Sequence, residues 1–85
     1  MTQPTRAHLA VLGLGANLGD APQTVQAAIA ALARLPGTTL TRASSLYRTA
    51  PLDSSGPDYI NAVAQIATTL TAPGLLAELQ ALELA

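Results

Sequence analysis

Apolar residues recur along this chain with two periods, and the switches between them mark its elements. The stretch "AHLAVLGLG" is apolar on both parities, with Leu9 and Val11 on one face and Ala10, Leu12 and Leu14 on the other. This pattern predicts a strand, and a strand apolar on both faces is ordinarily central and covered. In "ANLGDAPQTVQ", Asp20 can cap a helix and Gln23 can reach back to it as in a capping box. Val25, Ala28, Ile29, Leu32 and Leu35 then fall at three-and-four spacing. They predict a helix to about Leu35, ended by Pro36 and Gly37.

From Thr38 to Arg48 the chain is rich in Thr and Ser, with Leu40 and Leu46 in phase, which predicts a second strand nearer a sheet edge. A loop carrying Pro51, Gly56 and Pro57 follows. The stretch "DYINAVAQIATTL" then alternates, with Ile60, Ala62, Ala64 and Ile66 as the core face and Tyr59, Asn61, Val63 and Gln65 opposite. Thr71 can cap a second helix whose apolar stripe is Leu75, Leu76, Leu79 and Leu82. That stripe is still running at Ala85, with no Gly, cap or polar turn to close it.

The order strand, helix, strand, strand, helix is that of a split βαβ, or ferredoxin-like, α+β sandwich lacking its final strand. The first and second strands should run parallel with the third between them, and a fourth strand would pair with the first.

Composition narrows the possibilities. Eighty-five residues make one small domain. With 49% hydrophobic and 11% charged residues, the chain is excluded from the disordered class. Its cations, Arg6, Arg34, Arg42 and Arg48, form no cluster and the net charge is -1, which argues against a nucleic-acid partner. With no cysteine there is neither a disulfide framework nor a thiolate metal site. Ala7 to Ala16 follows an Arg as a secretory signal would, but Gly13 and Gly15 interrupt it and no small-x-small cleavage site follows. No apolar run approaches the roughly 18 residues that cross a bilayer. The expectation is a soluble, cytoplasmic protein with no membrane partner.

The only aromatic residues, Tyr47 and Tyr59, flank the polar loop. Tyr59 and Asn61, two apart on a strand, share a face. An Asn amide offers two donors and an acceptor, which suits the alternating edge of an aminopyrimidinone, and a ring beside it can cover the flat face. On the residues alone a plainer reading stands first: Tyr59 covers the sheet edge and Asn61 pairs with loop backbone. The glycines of "GLGANLGD" give G-x-G-x-x-x-G, not the dinucleotide spacing, and no acid lies between Asp20 and Asp53 to hold a ribose. A tight turn needing positive φ accounts for them more simply.

Three motifs in order, "GLGANLGD", "SSLYRTAPL" and "GPDYINAVAQIAT", closely resemble the 6-hydroxymethyl-7,8-dihydropterin pyrophosphokinases of folate biosynthesis. The resemblance runs from Ala7 onward. It implies a ferredoxin-like sandwich and transfer of the pyrophosphoryl group of ATP, with magnesium, to the pterin hydroxymethyl group. By the same resemblance Thr49, Pro51 and Leu52 line the pterin pocket, partly through main-chain groups, Tyr59 packs beside the pterin and Asn61 hydrogen-bonds its pyrimidine edge. Gly15 and Asn17 support the pocket, Tyr47 braces the loop, and Gln80 and Glu83 resemble positions that face the nucleotide. Ala50 stands where many relatives have Pro.

The family's Arg-containing stretch and its Asp-x-Asp metal motif have no counterpart here, so no catalytic residue and no metal ligand is assigned. Asp53 and Asp58 lie outside that motif and read as solvated loop carboxylates. The expectation is therefore that residues 1–85 are the N-terminal, pterin-binding portion of one kinase domain. That portion would be inactive alone, while the complete, monomeric enzyme would take pterin and ATP. The alternative is a stand-alone ferredoxin-like module that binds a small ligand without catalysis.

Overall fold

The computed structural model describes residues 6–52 and 56–84, with side chains to residue 82. The elements are β1 (His8–Ala16), α1 (Ala21–Leu32), β2 (Thr38–Ala43), β3 (Tyr47–Thr49), β4 (Tyr59–Thr68) and α2 (Ala72–Leu84). Both predicted caps form. Asp20 accepts a hydrogen bond from the Gln23 amide through its carboxylate at 3.2 Å, and Thr71 Oγ1 accepts one from the Gly74 amide at 3.1 Å. Each satisfies a donor that the first turn of a helix leaves without a backbone partner.

The alternation in β4 sets the layers. Ile60, Ala62, Ala64, Ile66 and Thr68 are buried, and the intervening residues are not. Leu32 and Leu35, with Leu75 of α2, pack on Ala64 and Ile66, while Ala21 and Val25 pack around Ile60 and Ala62. Both helices therefore lie on one face of the sheet, and the other face is open among the described residues.

Strand β4 sits at the centre, antiparallel to β1 on one side and to β2 and β3 on the other. Strands β1 and β2 consequently run parallel with β4 between them, as the split βαβ order requires. The architecture is the expected α+β, ferredoxin-like one, with four strands and two helices among the described residues.

Four details differ from the sequence expectations. The strand predicted from Thr38 to Arg48 is two strands, because the pairing with β4 slips twice. One slip falls between Leu40 and Arg42. The other falls between Ala43, opposite Ala64, and Tyr47, opposite Asn61, four steps on the outer strand against three on β4. Each slip inverts the faces, so two together return Leu46 to the side of Leu40. Ser44 covers the second slip: its amide donates to the Val63 carbonyl and its Oγ accepts from the Val63 amide, both at 2.8 Å.

Helix α1 ends at Leu32, and the chain tightens into bonds from Arg34 to Ala31 and from Leu35 to Leu32, which still deliver Leu35 to the core. Leu76 is 56% exposed, since it stands one helical step beyond the packed Leu75. Strand β1, expected to be covered on both faces, has its helix-side residues half-buried and Leu9 and Val11 63% and 67% exposed. Its described partner is β4 alone, and both helices cover the opposite face.

Gly37 closes the α1–β2 turn with φ +60, and a Cβ there would collide with the Thr69 hydroxyl. Only glycine meets both demands.

Candidate functional site

Because cross-strand partners in an antiparallel sheet share a face, the register of β4 decides what gathers around Asn61. Gly15 of β1 and Tyr47 of β3 are opposite Asn61, and Thr49 of β3 is opposite Tyr59. Asn61 and Tyr59 belong to the open face, so Gly15, Tyr47, Thr49, Tyr59 and Asn61 form one surface. Arg48, opposite the buried Ile60, belongs to the other face.

Asn61 Nδ2 donates to Thr49 Oγ1 at 2.7 Å. This bond holds the amide plane and turns the carbonyl toward β1, where a Cβ on Gly15 would stand 3.1 Å from Oδ1 and 3.9 Å from the Tyr59 ring. Gly15 is therefore a close-approach glycine in a strand. Among the glycines of "GLGANLGD", only Gly19, with φ +60, takes the turn conformation. Among the described residues no other side-chain bond engages the amide, which leaves its carbonyl oxygen and one N–H for a ligand. The half-exposed Tyr47, its cross-strand partner, and Tyr59, two residues before it on β4, share its face.

At the end of β1, Asn17 Nδ2 reaches the Pro57 carbonyl at 3.5 Å and ties the strand to the loop. Such a surface offers a donor, an acceptor and two aromatic faces to a flat polar heterocycle.

Of the residues singled out from sequence, Thr49, Tyr59, Asn61, Gly15 and Tyr47 are brought together, and Asn17 borders them. Pro51 is partly buried in the loop, whereas Leu52 is fully exposed. Gln80 is exposed on α2, in the helix layer, and is not gathered with the open-face set. The Glu83 side chain and Asp53 lie outside the described residues, and Asp58 is exposed just before β4. The plainer sequence reading of Asn61 changes, because among the described residues its donor meets the Thr49 hydroxyl on the neighbouring strand.

Tyr47, read as a loop brace, is the direct neighbour of Asn61. The twofold slip that puts it there is invisible to residue counting. The turn expected of the whole glycine cluster is thus made by Gly19 alone, because Gly13 and Gly15 lie within β1 and neither has a positive φ.

A larger groove of about 810 Å³ lies between α1, β1 and α2. Its lining is apolar save for Gln23 and Thr24, so it suits the edge of a polar heterocycle poorly. No group of three or more His, Cys, Asp or Glu that could hold a metal ion occurs among the described residues.

Comparison with known proteins then fixes the lineage. The family model described as 7,8-dihydro-6-hydroxymethylpterin-pyrophosphokinase (HPPK) matches residues 11–85. The chain belongs to this family. Among curated relatives, the 2-amino-4-hydroxy-6-hydroxymethyldihydropteridine pyrophosphokinase of Synechocystis sp. is 41% identical over 80 residues, covering 94% of this chain and 41% of that protein. The protein of the same name from Haemophilus influenzae is 43% identical over 75 residues, covering 87% of this chain and 47% of its own. Folic acid synthesis protein fol1 of Schizosaccharomyces pombe is 30% identical over 82 residues, which are 95% of this chain and 11% of that protein. The chain thus spans less than half the length of these HPPK relatives.

Proposed function

We propose that this chain supplies the pterin-binding portion of a 6-hydroxymethyl-7,8-dihydropterin pyrophosphokinase, a cytoplasmic enzyme of folate biosynthesis that is monomeric when complete. In the reaction the substrate's hydroxymethyl oxygen attacks the β-phosphorus of ATP, the bond to the α-phosphate oxygen breaks, and AMP leaves. The observation that carries this reading is the Asn61 amide, fixed by Thr49 at 2.7 Å on a face shared with Tyr47, Tyr59 and Gly15. Family membership supports the same reading.

The residues present bind and orient. Asn61 pairs with the pyrimidine edge of the pterin through its free carbonyl oxygen and N–H. Tyr59 covers the ring, Tyr47 closes the β3 side, and Thr49 keeps the amide from rotating. Pro51 and Leu52 belong to the loop that completes the pocket when ligand is bound, partly through main-chain groups. Gly15 and Asn17 hold β1 and the loop in place. Holding the ring this way directs the hydroxymethyl group toward the nucleotide and removes orientational entropy from the transfer step.

Gln80 and Glu83 are assigned to the nucleotide on resemblance alone. Pyrophosphoryl transfer also requires cations that neutralise the developing charge. The described residues do not fit a magnesium site.

Titrating hydroxymethyl-dihydropterin into the isotope-labelled chain tests the proposal by NMR. The amides of Gly15, Tyr47, Thr49, Tyr59 and Asn61 should shift together. Shifts confined to α1 and α2, or none, contradict it. A second arm with a non-hydrolysable ATP analogue addresses the stand-alone module, for which pterin binding should be indifferent to nucleotide even after the chain is extended to the length of its relatives.

A further inference from the structure

Gly13 has no explanation within the fold. It lies in the interior of β1, where glycine weakens a strand through lost packing and extra unfolded-state entropy. Its φ is outside the left-handed region, so no turn requires it. The β1–β4 register passes through it without a bulge, Gly13 opposite Val63. A Cβ built on it meets nothing within 4 Å, so no neighbouring protein atom excludes a side chain. Gly15 differs, because its Cβ would press on Asn61 Oδ1. What remains for a strand glycine in none of these situations is close approach by something outside the described structure.

The surroundings say what approaches. Gly13 shares the open face with Gly15 and Asn61 and is about 7 Å from Gly15 along the strand. On the β3 side of Asn61 stand the Thr49 hydroxyl, bonded to it, and Tyr47, its cross-strand partner. On the β1 side neither glycine contributes a side chain, and the Asn61 carbonyl oxygen faces that way. A flat ring pairing with this amide therefore extends over β1, from Gly15 toward Gly13. Beyond Gly13 the face continues into a shallow depression of about 430 Å³ lined by Val11, Arg42, Ala43, Ser44, Val63 and Gln65, which leaves room for a substituent and sets one cation at its wall.

We propose that Gly13 is a specificity-determining residue of the pterin site, its missing side chain clearing the strip of β1 over which the bicyclic ring lies. The inference rests on the pterin reading of the Asn61 face. Gly13 sets how much bulk the site accepts at the end of the ring remote from the pyrimidine edge.

Wild type, Gly13→Ala, Gly13→Val and Asn61→Ala are compared for binding of hydroxymethyl-dihydropterin by fluorescence titration, and for thermal unfolding. Gly13→Ala should melt at or above the wild-type temperature yet bind several-fold more weakly. Gly13→Val should bind at least about tenfold more weakly, the scale on which a close-fitting site resists extra methyl groups. Wild-type affinity in both Gly13 variants, with Asn61→Ala weakened, overturns this inference and leaves the pterin reading standing. A Gly13→Ala variant that unfolds more readily than wild type overturns it as well, by giving the glycine a role in the fold. Altered sedimentation with unchanged pterin affinity assigns Gly13 to contact between chains and also overturns it. If the wild type binds no pterin, or Asn61→Ala binds like wild type, the pterin reading fails and the inference with it.

Discussion

At Asn61 one hydrogen bond determines how much of the side chain is left for a ligand. With one N–H engaged by Thr49, the amide keeps a carbonyl oxygen and a single N–H in a fixed plane. Asn61→Ala should therefore leave the ligand's donor and acceptor unmatched, weakening pterin binding by roughly 1–3 kcal/mol. The melting temperature should barely change, because the residue is only partly buried. Thr49→Val tests the positioning separately: the amide is freed to rotate, and pterin affinity should fall several-fold, on the order of 1 kcal/mol. Equal affinity in wild type and Thr49→Val would show that the amide is held by other means.

The pairing of Tyr59 with Asn61 on one face was legible, since two residues two apart on a strand must share it. Tyr47 was not, because its neighbour Asn61 is fourteen residues distant and the register is set by two slips. Gly15 was legible as part of a motif, but not as the glycine that touches Asn61.

Among the elements, the long alternating strand and the capped first helix could be read directly, since their periods run uninterrupted and Asp20 stands at the start of the helical stripe. The Thr- and Ser-rich segment could not. Its slips add residues that a period-two count treats as ordinary positions, and the Ser44 hydroxyl replaces a ladder partner in a way only the folded register reveals. The turn between α1 and β2 gives a direct check. Gly37→Ala meets both an unfavourable positive φ and the Thr69 hydroxyl, and should lower stability by at least about 1–2 kcal/mol in urea unfolding. Unchanged stability would mean that this turn relaxes without strain. In the helix layer, Leu32 is 1% exposed, and Leu32→Ala should cost about 2–5 kcal/mol. That is a large share of the stability available to a domain of this size.

For the whole molecule, the sheet has a covered face and an open one, and the open face carries both the Asn61 cluster and the exposed Leu9 and Val11. An apolar strand whose outer side has no described partner tends to recruit other chains. Sedimentation should accordingly show concentration-dependent association of the 85-residue chain, reduced in a Leu9→Lys, Val11→Thr variant. A monodisperse monomer at all concentrations would contradict this.

We propose that the open face around Asn61 holds a pterin, and calorimetric titration of hydroxymethyl-dihydropterin into the wild-type chain and into Asn61→Ala is the decisive comparison. The wild type should show one site per chain and the variant an affinity at least several-fold weaker, with matching unfolding curves. Equal affinities in the two proteins, or no heat of binding in the wild type, would contradict it.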